Sequence, residues 1–167
     1  GLLTIGDRFG GAINEAAGNW LQAVKNNVDP AKFVEDYASQ QKHIAGIGHK
    51  KYNSHQPDPR VKMLLKFGES LKEKSFTNFA LAVEKITLAK KANLILNVDG
   101  AVAAVMLDLL KEKEGFNYEA LSELAASEFF NALFVLSRSV GFVGHYLAQR
   151  RLDEGLFRLP EEEVASV

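Results

Sequence analysis

Three short stretches of this chain put proton-moving and anion-gripping residue types at turns, at helix boundaries or inside apolar sequence. Gly46-Ile47-Gly48-His49 opens a polar loop that ends at Asp58-Pro59-Arg60. Asn97-Val98-Asp99-Gly100 follows a short apolar segment, and Ser137-Arg138-Ser139 lies in a long apolar run. One histidine, one carboxylate and two arginines so placed suit a site that holds a small multi-carboxylate anion and moves a proton beside it.

Each residue also has a plainer reading. Arg138 is flanked by Phe134, Val135, Leu136, Val140, Phe142 and Val143. A guanidinium buried there needs a partner, either Glu128 or Glu123 in an internal ion pair, or the carboxylate of a ligand held bidentately. Asp99 stands where a helix should begin, as an N-cap or as a general base whose pKa is set by partial burial. A carboxylate acting on a carbon-bound proton needs an electrophile that polarises the adjacent carbonyl. His49 closes a Gly-x-Gly turn, either as a surface loop histidine or beside a ligand that the two glycines allow to approach the backbone. Free amides at Gly46, Ile47 and Gly48 could cradle phosphate, with Lys50 and Lys51 in reach or merely solvated. Arg60 is an exposed arginine or a second carboxylate clamp, and Arg158, before Pro160, is equally ambiguous. Lys90 and Lys91 close a helix or contact phosphate. His43 and His55 lack ligand spacing with any carboxylate, so no metal site is expected. His145 reads as a packed or capping residue.

The elements that must position these residues are helical almost throughout, because apolar residues recur at three- and four-residue spacing. The first helix is expected over about 11–26. Asp29-Pro30 and Asp58-Pro59 each pair an N-cap with a first-turn proline, starting helices of which the second should reach about Lys74. Residues 45–57 read as a loop long enough to be functional. Further helices are expected over 76–91 and 99–113. The second of these is apolar nearly all round and therefore central, with Gly115 as its stop. Residues 121–151 read as a short helix and then a long one, in which Gly141 and Gly144 would admit a close neighbour. The tail over 155–167 is a turn and an acidic end. No repeat or linker divides the 167 residues, so the expectation is a single all-α domain.

Composition narrows the function further. Apolar residues make up 47% and charged residues 25%, the balance of a globular protein with a real core. A net charge of −1 gives no global field for nucleic acid or a membrane surface. The absence of cysteine excludes disulfides, cysteine-bound zinc and thiol nucleophiles, and fits a cytoplasmic setting. Residues 129–143 are too short and too charged to span a bilayer, and no basic region precedes the apolar first residues as in a signal peptide. Gly1, opening directly into patterned sequence, suggests a piece of a longer or processed polypeptide.

These pieces, in this order, resemble the C-terminal half of the citrate synthase superfamily. There a Gly-x-Gly-His loop leads to Asp-Pro-Arg, Asn-Val-Asp, an arginine in a long apolar helix and a last arginine near a proline. The matches are Gly46–His49, Asp58–Arg60, Asn97–Asp99, Arg138 and Arg158. The wording is closer still to one branch, the citryl-CoA lyase module at the C-terminus of ATP-citrate lyases. It is carried by Gly6–Ala12, Val83–Thr87, Asn93–Gly100 and Gly141–Leu147. Phe9 stands where ordinary citrate synthases have a catalytic histidine, which favours the lyase branch.

The resemblance implies a citrate synthase-like helical fold and an acyltransferase or lyase that cleaves citryl-CoA to acetyl-CoA and oxaloacetate. Asp99 would be the acid/base at the acetyl carbon, and His49 would hydrogen-bond the oxygen on the carbon where the bond breaks. Arg60, Arg138 and Arg158 would hold carboxylates, the last of them from a neighbouring subunit. Gly46, Ile47, Gly48, Lys50, Lys51, Lys90 and Lys91 would receive coenzyme A. It further implies a homo-oligomer, dimer or tetramer, together with an ATP-dependent citrate-activating portion on the same chain or on a partner subunit. A further active-site histidine would lie upstream of Gly1. The alternatives are a citrate or methylcitrate synthase, and a non-catalytic helical module that holds a larger complex together.

Overall fold

The computed structural model describes residues 11–153. Among them are the helices α1 (Ala12–Lys25), α2 (Pro30–Ser39), α3 (Pro59–Gly68), α4 (Ser75–Leu88), α5 (Val98–Lys113), α6 (Tyr118–Ala126) and α7 (Phe129–Arg151). The all-α expectation holds for these residues, whose β-structure is confined to two isolated bridges, one of them Ile47 to Leu96.

Local chemistry fixes most helix starts. The side chains of Asp29, Asp58, Asn97 and Asn117 each accept from amides in the first turn of the helix that follows. Gly115 takes a left-handed φ of +66° just past α5, as a helix stop should. Asn117 starts α6 three residues earlier than the apolar pattern indicates. Glu128, at φ +58°, breaks the chain between α6 and α7, which meet at 58°.

Two ends differ from expectation, both because of distant residues. α3 stops at Gly68 rather than Lys74. Gly68 is buried against Val105, and the chain then turns so that Leu71 enters the core. Glu112 of α5 accepts from the amides of Lys72 and Glu73 in that turn. α4 begins without a local side-chain cap. The fully buried Asp108 of α5 supplies one instead, accepting from the Phe76 and Thr77 amides at 3.0 and 2.9 Å. Burial pushes the Asp108 carboxyl up, opposed by those hydrogen bonds. α4 ends at Leu88, and the amides of Lys90 and Lys91 turn back onto the Thr87 carbonyl.

α5 is central, as its apolar surface requires, and packs on α1, α3, α4 and α6. Its Ala101, Ala103 and Ala104 are fully buried, so neighbouring helices approach closely. Trp20 of α1 is also fully buried, in edge and tilted contact with Phe33 and Phe79. Its Nε1–H donates to the Gly100 carbonyl at 3.3 Å, joining the aromatic core to the first turn of α5.

α7 is covered only over its first turns. Phe130 is buried, but Leu136, Val140 and Val143 are 62, 65 and 60% exposed. A Cβ added at Gly141 or Gly144 would meet nothing within 4 Å. The close neighbour expected at those glycines is therefore not supplied by the described residues. No single helix among the described residues is long and apolar enough to cross a membrane.

Candidate active site

The site rests on two extended segments lying side by side. The Gly48 amide donates to the Ile95 carbonyl at 2.7 Å, the His49 amide to Asn93 at 3.0 Å, and the Asn97 amide to Gly46 at 2.9 Å. Asn97 adds a side-chain bond, its Nδ2 donating to the Gly48 carbonyl at 3.0 Å. The crossing is tight enough to demand glycine on both sides. Gly46 has φ +88°, and a Cβ there would lie 2.7 Å from the Gly100 Cα. His49 thus ends one segment, and Asp99 lies two residues beyond the other.

Asp99 is not the cap of α5. Asn97 is, its Oδ1 accepting from the amides of Asp99 and Gly100 at 3.0 and 3.1 Å. The Asp99 carboxylate is left free of a capping duty and half-buried. Burial pushes its pKa up, and the positive charge of Arg60 pulls it part of the way back. Asp99, Arg60 and His49 lie within electrostatic reach of one another, a hydrophobically perturbed carboxylate beside a cation and an imidazole.

His49 is held by its own loop. Nδ1 accepts from the Lys51 and Tyr52 amides at 2.9 and 3.0 Å, which leaves the ring proton on Nε2. The imidazole also packs on the Tyr52 ring, with centroids 4.7 Å apart. It is thereby a fixed donor, the role a polarising group needs.

Arg60 is fastened by Asp58, a partner that the sequence offered only as a helix cap. Nη2 lies 2.6 Å from Asp58 Oδ2 and Nε 3.0 Å from Oδ1, while the Asp58 side chain is fully buried and Arg60 about half exposed. Hydrogen bonding to Arg60 holds the Asp58 carboxyl below its ordinary value, against the opposing effect of burial. The pair's contribution to stability is present above the unfolded carboxylate pKa. It is lost only as pH falls through the lower folded value.

Two expectations need correction. The Gly46–His49 turn is not an open amide cradle. The Ile47 amide bonds to Ile44, and those of Gly48, His49, Lys51 and Tyr52 are also committed internally. Gly-x-Gly here serves a close crossing of backbones rather than an anion. Arg138 is not buried; it is exposed on α7, its guanidinium 4.9 Å from the centre of the Phe134 ring, paired with neither Glu123 nor Glu128. α7, which carries Arg138, packs on α1 and α6, whereas Arg60 lies on α3 and Asp99 on α5. Lys50, Lys51, Lys90 and Lys91 are all exposed, and Lys90 lines a pocket of about 160 Å³ with Ile47, Lys42, His43, Tyr37 and Leu94. Lys42 and His43 join Lys90 there only because folding brings the end of α2 to the end of α4. Phe9 and Arg158 lie outside the described residues.

A larger cleft, about 810 Å³, lies behind the site between α3 and α4. Asp58, Val61, Leu65, Glu84, Leu88 and Ile95 line it, but His49, Arg60 and Asp99 do not. Among the described residues no three His, Asp or Glu side chains converge as a metal site requires.

Comparison with known proteins adds the family context. The citrate synthase C-terminal domain matches residues 3–159. A probable ATP-citrate synthase of Caenorhabditis elegans is 44% identical over 171 residues, covering 100% of this chain and 16% of the relative. The structure of ATP citrate lyase from Methanothrix soehngenii, in complex with citrate and coenzyme A, superposes with a TM-score of 0.85 at 41% identity. That match covers 99% of this chain and 27% of the other. Citryl-CoA lyase from Hydrogenobacter thermophilus superposes with a TM-score of 0.72 at 29% identity, covering 99% of this chain and 59% of the other. The chain thus spans about a sixth of the length of the curated relative.

Proposed function

Because this chain belongs to the citrate synthase family, matching its C-terminal domain, we propose that it is the citryl-CoA lyase portion of an ATP-citrate lyase. Residues 1–167 form part of one catalytic module that cleaves citryl-CoA to acetyl-CoA and oxaloacetate. The observation that carries this reading is the shared mounting of His49 and Asp99 on hydrogen-bonded segments, with Arg60 close enough to shift Asp99.

In the condensing direction the Asp99 carboxylate takes a proton from the acetyl methyl of acetyl-CoA. The resulting carbon nucleophile adds to the ketone carbon of oxaloacetate, and the oxygen takes the proton of His49 Nε2–H to become the hydroxyl, the imidazole regaining a proton from water. Cleavage runs the same path backwards: the hydroxyl proton leaves to His49 Nε2 as the carbon–carbon bond breaks, and Asp99 returns a proton to the acetyl carbon. A carboxyl raised by burial suits a group that must both take and give a proton. Arg60, held on its buried Asp58 partner, offers its remaining N–H groups to a substrate carboxylate. The coenzyme A nucleotide is assigned to the pocket lined by Lys42, His43 and Lys90, rather than to the amides of Ile47, Gly48 and His49, which are bonded within the chain.

Arg138 and Arg158 complete the carboxylate clamp only in the assembled protein. The exposed apolar side of α7, with Gly141 and Gly144 open for close approach, supports a homo-oligomer formed through that helix. A charge at Leu136 or Val143 should shift the sedimentation of the complete protein towards monomers. An unchanged sedimentation coefficient for both variants would count against α7 as the interface.

The direct test supplies citryl-CoA to the complete protein and follows oxaloacetate release. Release supports the lyase reading. Citrate formation from acetyl-CoA and oxaloacetate, with negligible cleavage, would replace it with a synthase. No turnover in either direction and no heat on titration with coenzyme A would leave a helical assembly module.

A further inference from the structure

The segment over 94–97 is an edge with a partner on one side only. Its Ile95 carbonyl and Asn97 amide face the Gly46–Gly48 segment. Extended backbone alternates direction, so the Leu96 amide and the Leu94 carbonyl face the other way. There α4 meets them with side chains instead of a strand. Glu84 Oε1 accepts from the Leu96 amide at 2.8 Å, and Thr87 Oγ1 donates to the Leu94 carbonyl at 2.7 Å. A donor and an acceptor three residues apart on one helix face thus reproduce the pair of bonds that a neighbouring strand would give.

We propose that Glu84 and Thr87 are positioning residues, which set the place of Asp99 by fixing the outer edge of the segment that leads to it. This rests on the lyase reading of Asp99 given above. Glu84 is half-buried, and burial raises its carboxyl while the Leu96 amide lowers it. Keeping an acidic group there at that cost makes sense if the acceptor is needed. α4 is itself anchored at its N-terminus by Asp108 of α5. The helix that holds the approach to Asp99 is therefore tied to the helix that carries Asp99.

The experiment uses the complete protein with Glu84→Met, Glu84→Gln and Thr87→Val. Methionine keeps the length of the side chain and removes the acceptor; glutamine keeps an acceptor oxygen; valine keeps the shape of threonine without the hydroxyl. The expected result is a kcat for citryl-CoA cleavage lowered about 10- to 100-fold in Glu84→Met, the scale of a misplaced catalytic group. In Glu84→Met KM should stay within about threefold, since Glu84 does not line the pocket assigned to the coenzyme A nucleotide, and Glu84→Gln should recover most of the rate. Thr87→Val should lower kcat likewise, more weakly, and is judged on kcat and amide exchange because Thr87 lines that pocket. Amide hydrogen exchange should quicken at Leu96 and, across the frame, at Gly48 and Asn97.

Wild-type kcat in both Glu84→Met and Thr87→Val would overturn the proposal while leaving the lyase reading intact. If Glu84→Met does not fold, Thr87→Val alone decides by the same two readouts. If the unaltered protein does not cleave citryl-CoA, the lyase reading fails. Exchange at Gly48 and Asn97 then decides whether the two side chains hold the frame, with unchanged rates refuting it.

Discussion

Asp99→Asn in the complete protein should lower kcat for citryl-CoA cleavage by about 10²- to 10⁴-fold, the range of a positioned acid or base, without lowering the melting temperature. The second half of that result discriminates. Had Asp99 capped α5, its loss would cost about 1 kcal/mol, but Asn97 does the capping. Burial raises the Asp99 pKa above 3.8, so its ionised form is less favourable in the folded chain than in the unfolded one. That penalty is absent below the unfolded pKa, grows between the unfolded and folded values, and is complete above the latter. Removing the charge at neutral pH should therefore leave stability unchanged or increased. The acid limb of kcat/KM for condensation should lie above the ordinary aspartate range. Arg60→Gln should move it higher, because Arg60 favours the ionised form. A fall in melting temperature with kcat unaltered would make Asp99 structural.

Gly100→Ala should destabilise the chain, the reverse of its usual effect in a helix. In an exposed helix interior the change stabilises by about 1 kcal/mol. Here the added carbon would lie 2.5 Å from the Gly46 carbonyl oxygen, 2.8 Å from its Cα and 2.8 Å from Leu96 Cδ1. Two of those atoms are backbone and cannot swing aside, so the segments bearing His49 and Asp99 must part. Denaturant unfolding should show a loss of about 1–3 kcal/mol, the usual cost of overpacking, and the fraction that folds should still cleave poorly. Gly18→Ala in α1 is the control. Nothing lies within 4 Å of its new carbon, so it should stabilise the chain. Equal stability of the Gly100 and Gly18 variants would show that the backbone crossing yields easily.

The residues legible in the sequence are those whose neighbours in space are also neighbours in the chain. Asp29, Asp58 and Asn97 cap the turns that follow them, and the apolar circumference of α5 puts it at the centre. His49, Arg60 and Asp99 stood out because each sits at such a boundary. What could not be read depends on long-range partners. Asp108 caps a helix that begins 33 residues before it, and Glu112 closes a turn 40 residues away, so α3 was expected to continue to Lys74. Gly-x-Gly looks the same whether it admits a phosphate or another stretch of backbone, and only Gly100 decides between them. The exposure of Arg138 is hidden from the sequence for a related reason. Apolar flanks reveal that a surface prefers to be covered, but not whether the same chain covers it.

The clasp of α4 on the segment over 94–97 also bears on how the chain avoids trouble outside catalysis. Paired extended segments normally leave a row of unsatisfied amides and carbonyls, a template on which another molecule can add a strand and begin to aggregate. Here two positions of that row are already occupied by Glu84 and Thr87. The ribbon ends at a helix, which cannot be extended by strand addition. The chain gains the rigidity of paired backbone without the exposed edge of a sheet.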